Sequence, residues 1–211
     1  KAYWVYGTEE TITELTTENA GQDITIAAGG NSIDFGNLTD ARRYASGASS
    51  STCGVFAGGY SPGVVNVIDY VGITTVGNAL DFGDLSEQGE ALGTATSPTR
   101  ACFAGGRHPQ TNEFIDYITM ASTGDAIDFG DLSQARNNMC YHTSSISTRG
   151  IFAGGIAPGA TTNMDYVTIA SNSNAQDFGD LSTTRDTPFG CASSVRGIVA
   201  GGFTPSPGTK H

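Results

Sequence analysis

Short apolar runs, separated by Gly, Pro, Asn and Ser, recur along the whole chain. One run, at 149–153, ends at two glycines, and another, at 66–73, is rich in Val, Ile and Tyr. A third, at 79–82, follows a Gly-Asn turn. Strands this short, interrupted about every 8–12 residues by turn residues, are typical of a sheet protein. Because no segment carries a convincing apolar stripe at the helical period, the pattern predicts an all-β fold.

Three short motifs recur at nearly constant spacing. An Asp-Phe-Gly-Asn/Asp-Leu motif begins at four positions, 47, 47 and 49 residues apart: Asp34, Asp81, Asp128 and Asp177. A Phe/Val-Ala-Gly-Gly motif begins at Phe56, Phe103, Phe152 and Val199. An acidic-aromatic pair occurs at Asp69-Tyr70, Asp116-Tyr117 and Asp165-Tyr166. The next Asp-Phe-Gly always begins 25 residues after the Phe-Ala-Gly-Gly start, so the two extra residues of the third step lie between Leu132 and Phe152.

Each repeat of about 47 residues is predicted to hold four short strands. The first is small and polar, as at 43–50, and the second ends in Gly-Gly. The third carries the Asp-Tyr pair, and the fourth carries Asp-Phe-Gly. One four-stranded sheet per repeat of this length is typical of a β-propeller blade. Complete units are predicted at about 43–85, 90–132 and 137–181.

The two ends of the chain leave two predictions open. Residues 186–202 supply a first and second strand and 21–38 a third and fourth, which together make a split fourth blade and leave 1–20 as an N-terminal segment. Alternatively, residues 2–7 are a degenerate second strand, and the ring of five or more blades belongs to a longer chain. Four blades is the preferred prediction because it needs no further sequence. Lys1 in place of Met indicates a processed or partial chain.

Composition restricts the possible functions. The chain has a net charge of −11 and only two lysines, Lys1 and Lys210. A nucleic-acid partner is not expected, because phosphate neutralisation needs a basic surface. Membrane insertion is not expected either, since no apolar run approaches the ~20 residues of a membrane helix.

The order of the motifs resembles the kelch, galactose-oxidase-like repeat family: a small-residue strand, a strand ending in Gly-Gly, and a strand with an acidic-aromatic pair. Phe82 and its equivalents stand where that family has Trp. The segments GVFAGG, NVIDYV and GNALDFGDLS are also similar to repeats in virion proteins of tailed bacteriophages, notably marine ones. This resemblance covers nearly the whole chain from about Gly21, and it implies a propeller fold and a place in a virus particle.

The repeated residues are predicted to be structural. Paired glycines permit positive φ and close backbone approach. The repeated Phe and Tyr are expected to fill the space between neighbouring sheets. The repeated Asp residues are expected to form turn caps or to accept hydrogen bonds from backbone N–H groups and Arg. Arg42, Arg136 and Arg185 follow the fourth strand at the same offset, and Gly89 takes that position in the second unit.

No catalytic site, metal site or cofactor is predicted. Asp-Phe-Gly also occurs in protein kinases, but here it has four copies without a Gly-rich loop or a partner Lys. Carboxylate pairs such as Asp81 and Asp84 recur in each unit, which favours a structural turn over a calcium or acid–base site. His108 and His142 lack a nucleophile-elbow pattern, which argues against a Ser-His-Asp site. The four cysteines do not match the repeat and are predicted to be buried small hydrophobes.

Binding is predicted where the repeat varies, in the connection after each Gly-Gly. Loops on a rigid scaffold usually carry binding, and in a propeller these connections gather on one face. Solvent-facing turns without a ligand remain the alternative. The candidate ligand-binding residues are Tyr60, Arg107, His108, Gln110 and Phe203.

These observations favour a non-enzymatic structural or host-binding virion protein of a tailed phage, such as a tail fibre, tail accessory or capsid-surface component. The expected partners are other virion proteins or further copies of the chain, together with a host-surface glycan. The alternative is a secreted, lectin-like propeller that binds glycans through its loops. An enzyme is the least favoured class because no catalytic constellation accompanies the repeats.

Overall fold

The computed structural model describes residues 2–5, 8–10, 14–16, 20–24, 31–140, 143–144, 148–193 and 195–204. These residues form strands and turns, and no helix among them is long and apolar enough to cross a membrane. The all-β class predicted from the sequence is confirmed. The strands are β1 (Ala2–Val5), β2 (Thr8–Glu10), β3 (Glu14–Thr16), β4 (Ala20–Ile24), β5 (Ile33–Asn37), β6 (Ser46–Ser49), β7 (Cys53–Ala57), β8 (Tyr60–Ser61), β9 (Gly63–Val64), β10 (Val67–Gly72), β11 (Leu80–Asp84), β12 (Gly93–Thr96), β13 (Arg100–Ala104), β14 (Phe114–Thr119), β15 (Ile127–Asp131), β16 (Thr143–Ser144), β17 (Arg149–Ala153), β18 (Ile156–Ala157), β19 (Gly159–Thr168), β20 (Gln176–Arg185), β21 (Phe189–Ala192) and β22 (Gly197–Ala200).

In two repeats, four strands pair antiparallel in their order along the chain, with the short β8–β9 hairpin inserted between β7 and β10. Unit 1 has the order β11-β10-β7-β6, and unit 2 has the order β15-β14-β13-β12. The pairings have the same register: Tyr70 lies opposite Val55 in unit 1, and Tyr117 lies opposite Cys102 in unit 2. The four strands predicted for each of these repeats are therefore confirmed.

Unit 3 differs in its first strand. Its second, third and fourth strands are β17, β19 and β20, which pair antiparallel. The predicted first strand was expected beside β17, but β16 instead pairs in parallel with β12 of unit 2. The two extra residues of the repeat fall in this connection, and part of it, 141–142 and 145–147, lies outside the described residues.

The strands at the two chain ends pair in a way that bears on the number of blades. The split fourth blade requires β22 to lie beside β4. In the structure β4 lies between β1 and β5, and the described partner of β22 is β21. Val5 lies opposite Gly21, just as Ala57 lies opposite Ile68 in unit 1. β1 therefore occupies the second-strand position of an N-terminal unit (β1, β4 and β5), as in the alternative arrangement; Tyr6 and Gly7 lie outside the described residues.

Each of the four Asp-Phe-Gly motifs lies at a β-bulge. Ile68 pairs with Gly83 and Asp69 pairs with Asp81, which leaves Phe82 without an opposite residue. The register shifts at the equivalent place in unit 2, unit 3 and the N-terminal unit. Because a bulge re-aims a side chain, Phe82 can pack toward the next sheet.

The hydrophobic core lies between successive units. Phe82 and Val55 of unit 1 pack in one cluster with Phe103 and Ile118 of unit 2. Two further clusters join the N-terminal unit to unit 1, and unit 2 to unit 3. The repeated Tyr meets the repeated Phe edge-on, with centroids 5.8 to 6.0 Å apart in units 1 to 3. The prediction that these aromatics fill the space between sheets is confirmed for the first three phenylalanines; Phe178 is the exception, being 46% exposed.

A repeated backbone contact, here called the seam, joins successive units. Between units 1 and 2, the N–H of Gly124 donates to the Phe82 carbonyl (2.7 Å) and the N–H of Ala126 donates to the Asp84 carbonyl (2.8 Å). The N–H of Asp84 donates to Oδ1 of Asp125 (3.1 Å). A Cβ on Gly83 would lie 2.5 Å from the Gly124 backbone, so this position requires Gly. The side-chain bond recurs between Asn37 and Asn78 and between Asp131 and Asn174.

Candidate functional site

The acidic residue of each Asp-Tyr pair is fully buried. Asp69, Asp116 and Asp165 have no exposed surface. The Arg136 guanidinium forms an ion pair with Asp165 (2.9 Å), and that of Arg42 forms one with Asp69 (3.0 Å). Burial lowers the pKa of both arginines, and the facing carboxylate raises it in each case. These carboxylates therefore hold the fold together, as predicted from the repeat.

Asp116 lacks the arginine because Gly89 takes its place. Its carboxylate accepts hydrogen bonds from the backbone N–H and the hydroxyl of Ser86, both 2.8 Å long. Burial raises the pKa of Asp116, and the Ser86 hydrogen bonds oppose this. A Cβ on Gly89 would meet Leu92 at 2.9 Å and Phe114 at 3.6 Å, so apolar side chains occupy this space. Asp116 is therefore a buried acid held by neutral donors.

The candidate residues Tyr60, Arg107 and Phe203 occupy one equivalent position in successive units. Each exchanges two backbone hydrogen bonds with a residue that precedes the first strand of its unit. Ile156 is the fourth member of this set. The four pairs, here called the end pairs, are Arg43–Tyr60, Glu90–Arg107, Asn137–Ile156 and Asp186–Phe203.

A ladder of backbone hydrogen bonds aligns the end pairs with one another. The residue after the first member of each pair has positive φ, between 51° and 58°. The N–H of Ala91 donates to the Tyr44 carbonyl, that of Asn138 to Ala91, and that of Thr187 to Asn138, at 3.0 to 3.1 Å. Each ladder residue directly follows the first member of an end pair. The ladder therefore brings the end pairs of consecutive units to the same end of their sheets.

The chemistry of the end pairs differs from unit to unit. The Arg43 guanidinium lies 4.8 Å from the Tyr60 ring centroid, within cation–π distance. Arg107 forms an ion pair with Glu90 (2.5 Å), in which Arg107 is 59% exposed and Glu90 only 5%. Phe203 is 46% exposed beside Asp186. The same backbone arrangement thus presents a cation and a phenol at Arg43–Tyr60, an ion pair at Glu90–Arg107 and an apolar ring at Phe203.

His108 and Gln110 lie on the connection that follows Arg107, and both are exposed. The N–H of His108 donates to the Gln110 carbonyl (2.8 Å), and Asn112 donates a side-chain hydrogen bond to the His108 carbonyl (3.4 Å). The structure therefore groups Arg107, His108 and Gln110 in one loop, whereas Tyr60 and Phe203 belong to other units.

The remaining candidate residues are the carboxylates of the Asp-Phe-Gly motif and the cysteines. Asp81 and Asp84 are exposed, and within the part of the chain that the structure describes no three His, Cys, Asp or Glu side chains are grouped to hold a metal ion. Cys102 and Cys140 are buried, as predicted, and burial raises the pKa of each thiol to about 12. Cys53 is only half-buried and Cys191 is exposed, so the prediction of burial is wrong for Cys191.

Sequence reasoning missed the first members of the end pairs. Arg43, Glu90 and Asp186 each precede their partner by 17 residues, and Asn137 precedes Ile156 by 19. The offset is the same in every unit once the two-residue insertion of unit 3 is set aside, and it was a usable signal. The residues themselves differ from unit to unit, so no repeated motif marks them.

Comparison with models of protein families found no match, and comparison with curated proteins found none either.

Proposed function

We propose that this chain is a kelch-like propeller-repeat protein that serves as a non-enzymatic structural and host-binding component of a tailed-phage virion. Its place is a tail fibre, a tail accessory or the capsid surface, and its location is the particle. The observation that carries this proposal is the set of end pairs, in which one backbone frame presents different side chains in each unit.

A rigid frame with variable side chains suits recognition. The frame is held by buried ion pairs such as Arg136–Asp165 and by the inter-unit ladder, and neither depends on the identity of the end-pair residues. Binding residues are commonly displayed on such a scaffold. The similarity of the repeats to those of phage virion proteins supports a particle as the setting.

The four-stranded sheets are proposed to be propeller blades. The position of β1 beside β4 favours a ring larger than the split four-bladed one, because β4 already has its second strand.

Immunogold labelling of the native source material tests this proposal. An antibody is raised against the purified chain, and an antibody against an unrelated soluble protein from the same source serves as the control. Label at a fixed place on intact tails or capsids is the expected result. Label that remains in the soluble fraction, with none on the particles, contradicts it.

A lectin-like function is the second candidate, and the half-buried Tyr60 and the exposed Arg107, which hold equivalent positions in consecutive units, support it. Aromatic rings stack on sugars, and guanidinium groups donate to their hydroxyls. On a glycan array, Tyr60→Ala and Arg107→Ala are expected to lose a signal that the wild-type chain gives. Leu80→Ala, which removes a 60% exposed side chain from a fourth strand, is the matched control and should keep the signal. Equal binding by all four proteins contradicts a role for these residues.

A further inference from the structure

The first end pair holds a guanidinium next to two phenol rings. The guanidinium carbon of Arg43 lies 4.8 Å from the Tyr60 ring centroid and 5.4 Å from that of Tyr44. Both distances are within the range of cation–π attraction, which keeps the charged group beside the rings. Tyr44 is the ladder residue of unit 1, and it is 55% exposed. We call Arg43, Tyr44 and Tyr60 the phenol cluster.

The guanidinium of Arg43 differs from others in the chain because it has no acceptor. Arg42, Arg107 and Arg136 each face a carboxylate at 2.5 to 3.0 Å. Among the described residues, the Arg43 side chain forms no hydrogen bond and no ion pair, and its buried Nε lacks a partner. Arg43 is only half-buried, so its two terminal nitrogens are the part that reaches solvent. Such a guanidinium can bind an anion through two parallel N–H donors.

The backbone of the phenol cluster is fixed before any ligand arrives. Arg43 exchanges two backbone hydrogen bonds with Tyr60, 2.8 and 3.2 Å long. The carbonyl of Tyr44 accepts a third from the N–H of Ala91 (3.0 Å). Binding does not have to order this stretch of backbone, which lowers the free-energy cost of association.

The distribution of charge favours a ligand with a single negative charge. In the neighbouring end pair, Glu90 and Arg107 neutralise each other, so within these two end pairs Arg43 is the charge without a counter-charge. The chain as a whole carries −11, and this charge repels a polyanion. A small ligand with one carboxylate gains the short-range contact with Arg43 and experiences little of that repulsion, because salt screens the more distant charges.

We propose that the phenol cluster binds a sugar that carries a carboxylate, such as a uronic acid. This inference rests on the host-binding role proposed above and names the class of glycan. The guanidinium of Arg43 donates to the carboxylate, and the exposed ring of Tyr44 stacks on the C–H face of the pyranose. The phenol hydroxyls of Tyr44 and Tyr60 both donate and accept, as sugar hydroxyls do. An acidic side chain of a protein supplies the carboxylate without the apolar ring face, so it contacts the guanidinium alone.

Titration of the full chain with methyl glucuronide and with methyl glucoside tests the charge, because these sugars differ only in a carboxylate against a hydroxymethyl group. Binding is followed by NMR of the isotope-labelled chain at physiological salt. The glucuronide is expected to bind at least about tenfold more tightly, and Arg43→Gln is expected to remove this difference. Arg196→Gln is the matched control, because it removes the same charge from an exposed arginine between β21 and β22, and it should bind as wild type does.

Tyr44→Ala tests the ring separately from the charge. Ala91 holds the equivalent position in unit 2 with φ 57°, so alanine is compatible with this backbone conformation. Affinity for methyl glucuronide is expected to fall about three- to tenfold. A thermal unfolding curve that matches wild type shows that the variant is folded. N-acetyl-aspartate amide, which carries a carboxylate on a peptide unit, is the comparison ligand and should bind wild type more weakly than the glucuronide.

Three results overturn the proposal. Equal affinity for the two sugars, or no binding of either, shows that the carboxylate is not recognised. Equal weakening by Arg43→Gln and Arg196→Gln shows a long-range effect of charge. Binding of N-acetyl-aspartate amide as tight as that of the glucuronide, and unchanged in Tyr44→Ala, shows a site for an acidic peptide.

These failures are distinguishable from failure of the virion proposal. Each of them leaves that proposal standing where the antibody labels tails or capsids. Sugar binding that depends on Arg43, together with unlabelled particles, supports the site and contradicts only its setting in a virion.

Discussion

The guanidinium of Arg136 lies 2.9 Å from the carboxylate of Asp165, and neither side chain has any exposed surface. Arg136 follows the fourth strand of unit 2, whereas Asp165 lies on the third strand of unit 3. The same guanidinium donates to the carbonyls of Phe152 (3.1 Å) and Asn163 (2.6 Å). One side chain thus ties the exit of one unit to two strands of the next.

Breaking this ion pair is expected to cost much of the chain's stability. Arg136→Met leaves Asp165 buried and without its counter-charge, which costs about 3–5 kcal/mol in the free energy of unfolding. Urea unfolding followed by circular dichroism measures this change. Arg196→Met is the control, because Arg196 is exposed and its loss should cost less than about 0.5 kcal/mol. A loss at Arg136 no larger than at Arg196 contradicts the structural role.

Because of Asp116, the free energy of unfolding is expected to depend on pH with the opposite sign from that caused by a salt-bridged acid. Burial raises its pKa above the ordinary 3.8, so the folded chain holds the proton more tightly than the unfolded chain. Its contribution is most favourable below pH 3.8, and it is lost as the pH rises through the raised folded pKa. Asp116→Asn removes this dependence, so the stability of the variant relative to wild type should rise with pH across that window.

The contrasting variant is Asp165→Asn, which leaves Arg136 without a carboxylate and should be destabilising at neutral pH. Urea midpoints measured at several pH values compare the two variants. A stability difference for Asp116→Asn that falls with rising pH is the result that would refute the assignment.

Alanine substitutions at two glycines distinguish the cost of a steric clash from the cost of backbone strain. Gly83 (φ 145°) and Gly179 (φ 117°) both adopt conformations that disfavour a side chain. A Cβ on Gly83 also meets the Gly124 backbone, whereas one on Gly179 meets no atom of the described residues within 4 Å. Gly83→Ala is therefore expected to lower the free energy of unfolding by about 1–3 kcal/mol more than Gly179→Ala, by thermal or urea denaturation. Equal losses would mean that the seam contributes nothing.

The cysteines should differ in their reactivity toward a thiol reagent. The pKa of Cys102 and of Cys140 is raised to about 12, mainly by burial, so almost no thiolate is present at pH 8. Cys191 is exposed. Iodoacetamide followed by peptide mass spectrometry should label Cys191 first in the folded chain, and Cys102 and Cys140 only after unfolding. Rapid labelling of Cys102 under native conditions would contradict its burial.

The sequence predicted most of what repeats. Identical spacing revealed the four strands of units 1 and 2, and the fixed offset of Arg42 and Arg136 indicated partners for the buried Asp residues. These features are readable because one physical requirement, burial between equivalent sheets, selects similar residues each time.

Features that depend on pairing between distant segments could not be predicted from the sequence. Nothing local to residues 2–5 says that β1 lies beside β4 rather than β22, because either strand can satisfy the same backbone edge. The parallel pairing of β16 with β12 arises where the repeat is interrupted by two residues, so the register of earlier units gave no guide. The end pairs were missed because their residues vary while their backbone bonds stay the same.

Electron cryo-microscopy of native particles tests the central claim, that a repeated frame presents the end pairs from a virion. The account predicts copies of the chain in symmetric register on a tail or capsid, with the end bearing Tyr60 and Arg107 facing outward. Particles that lack the chain, or copies whose end pairs are buried against the particle, would contradict it.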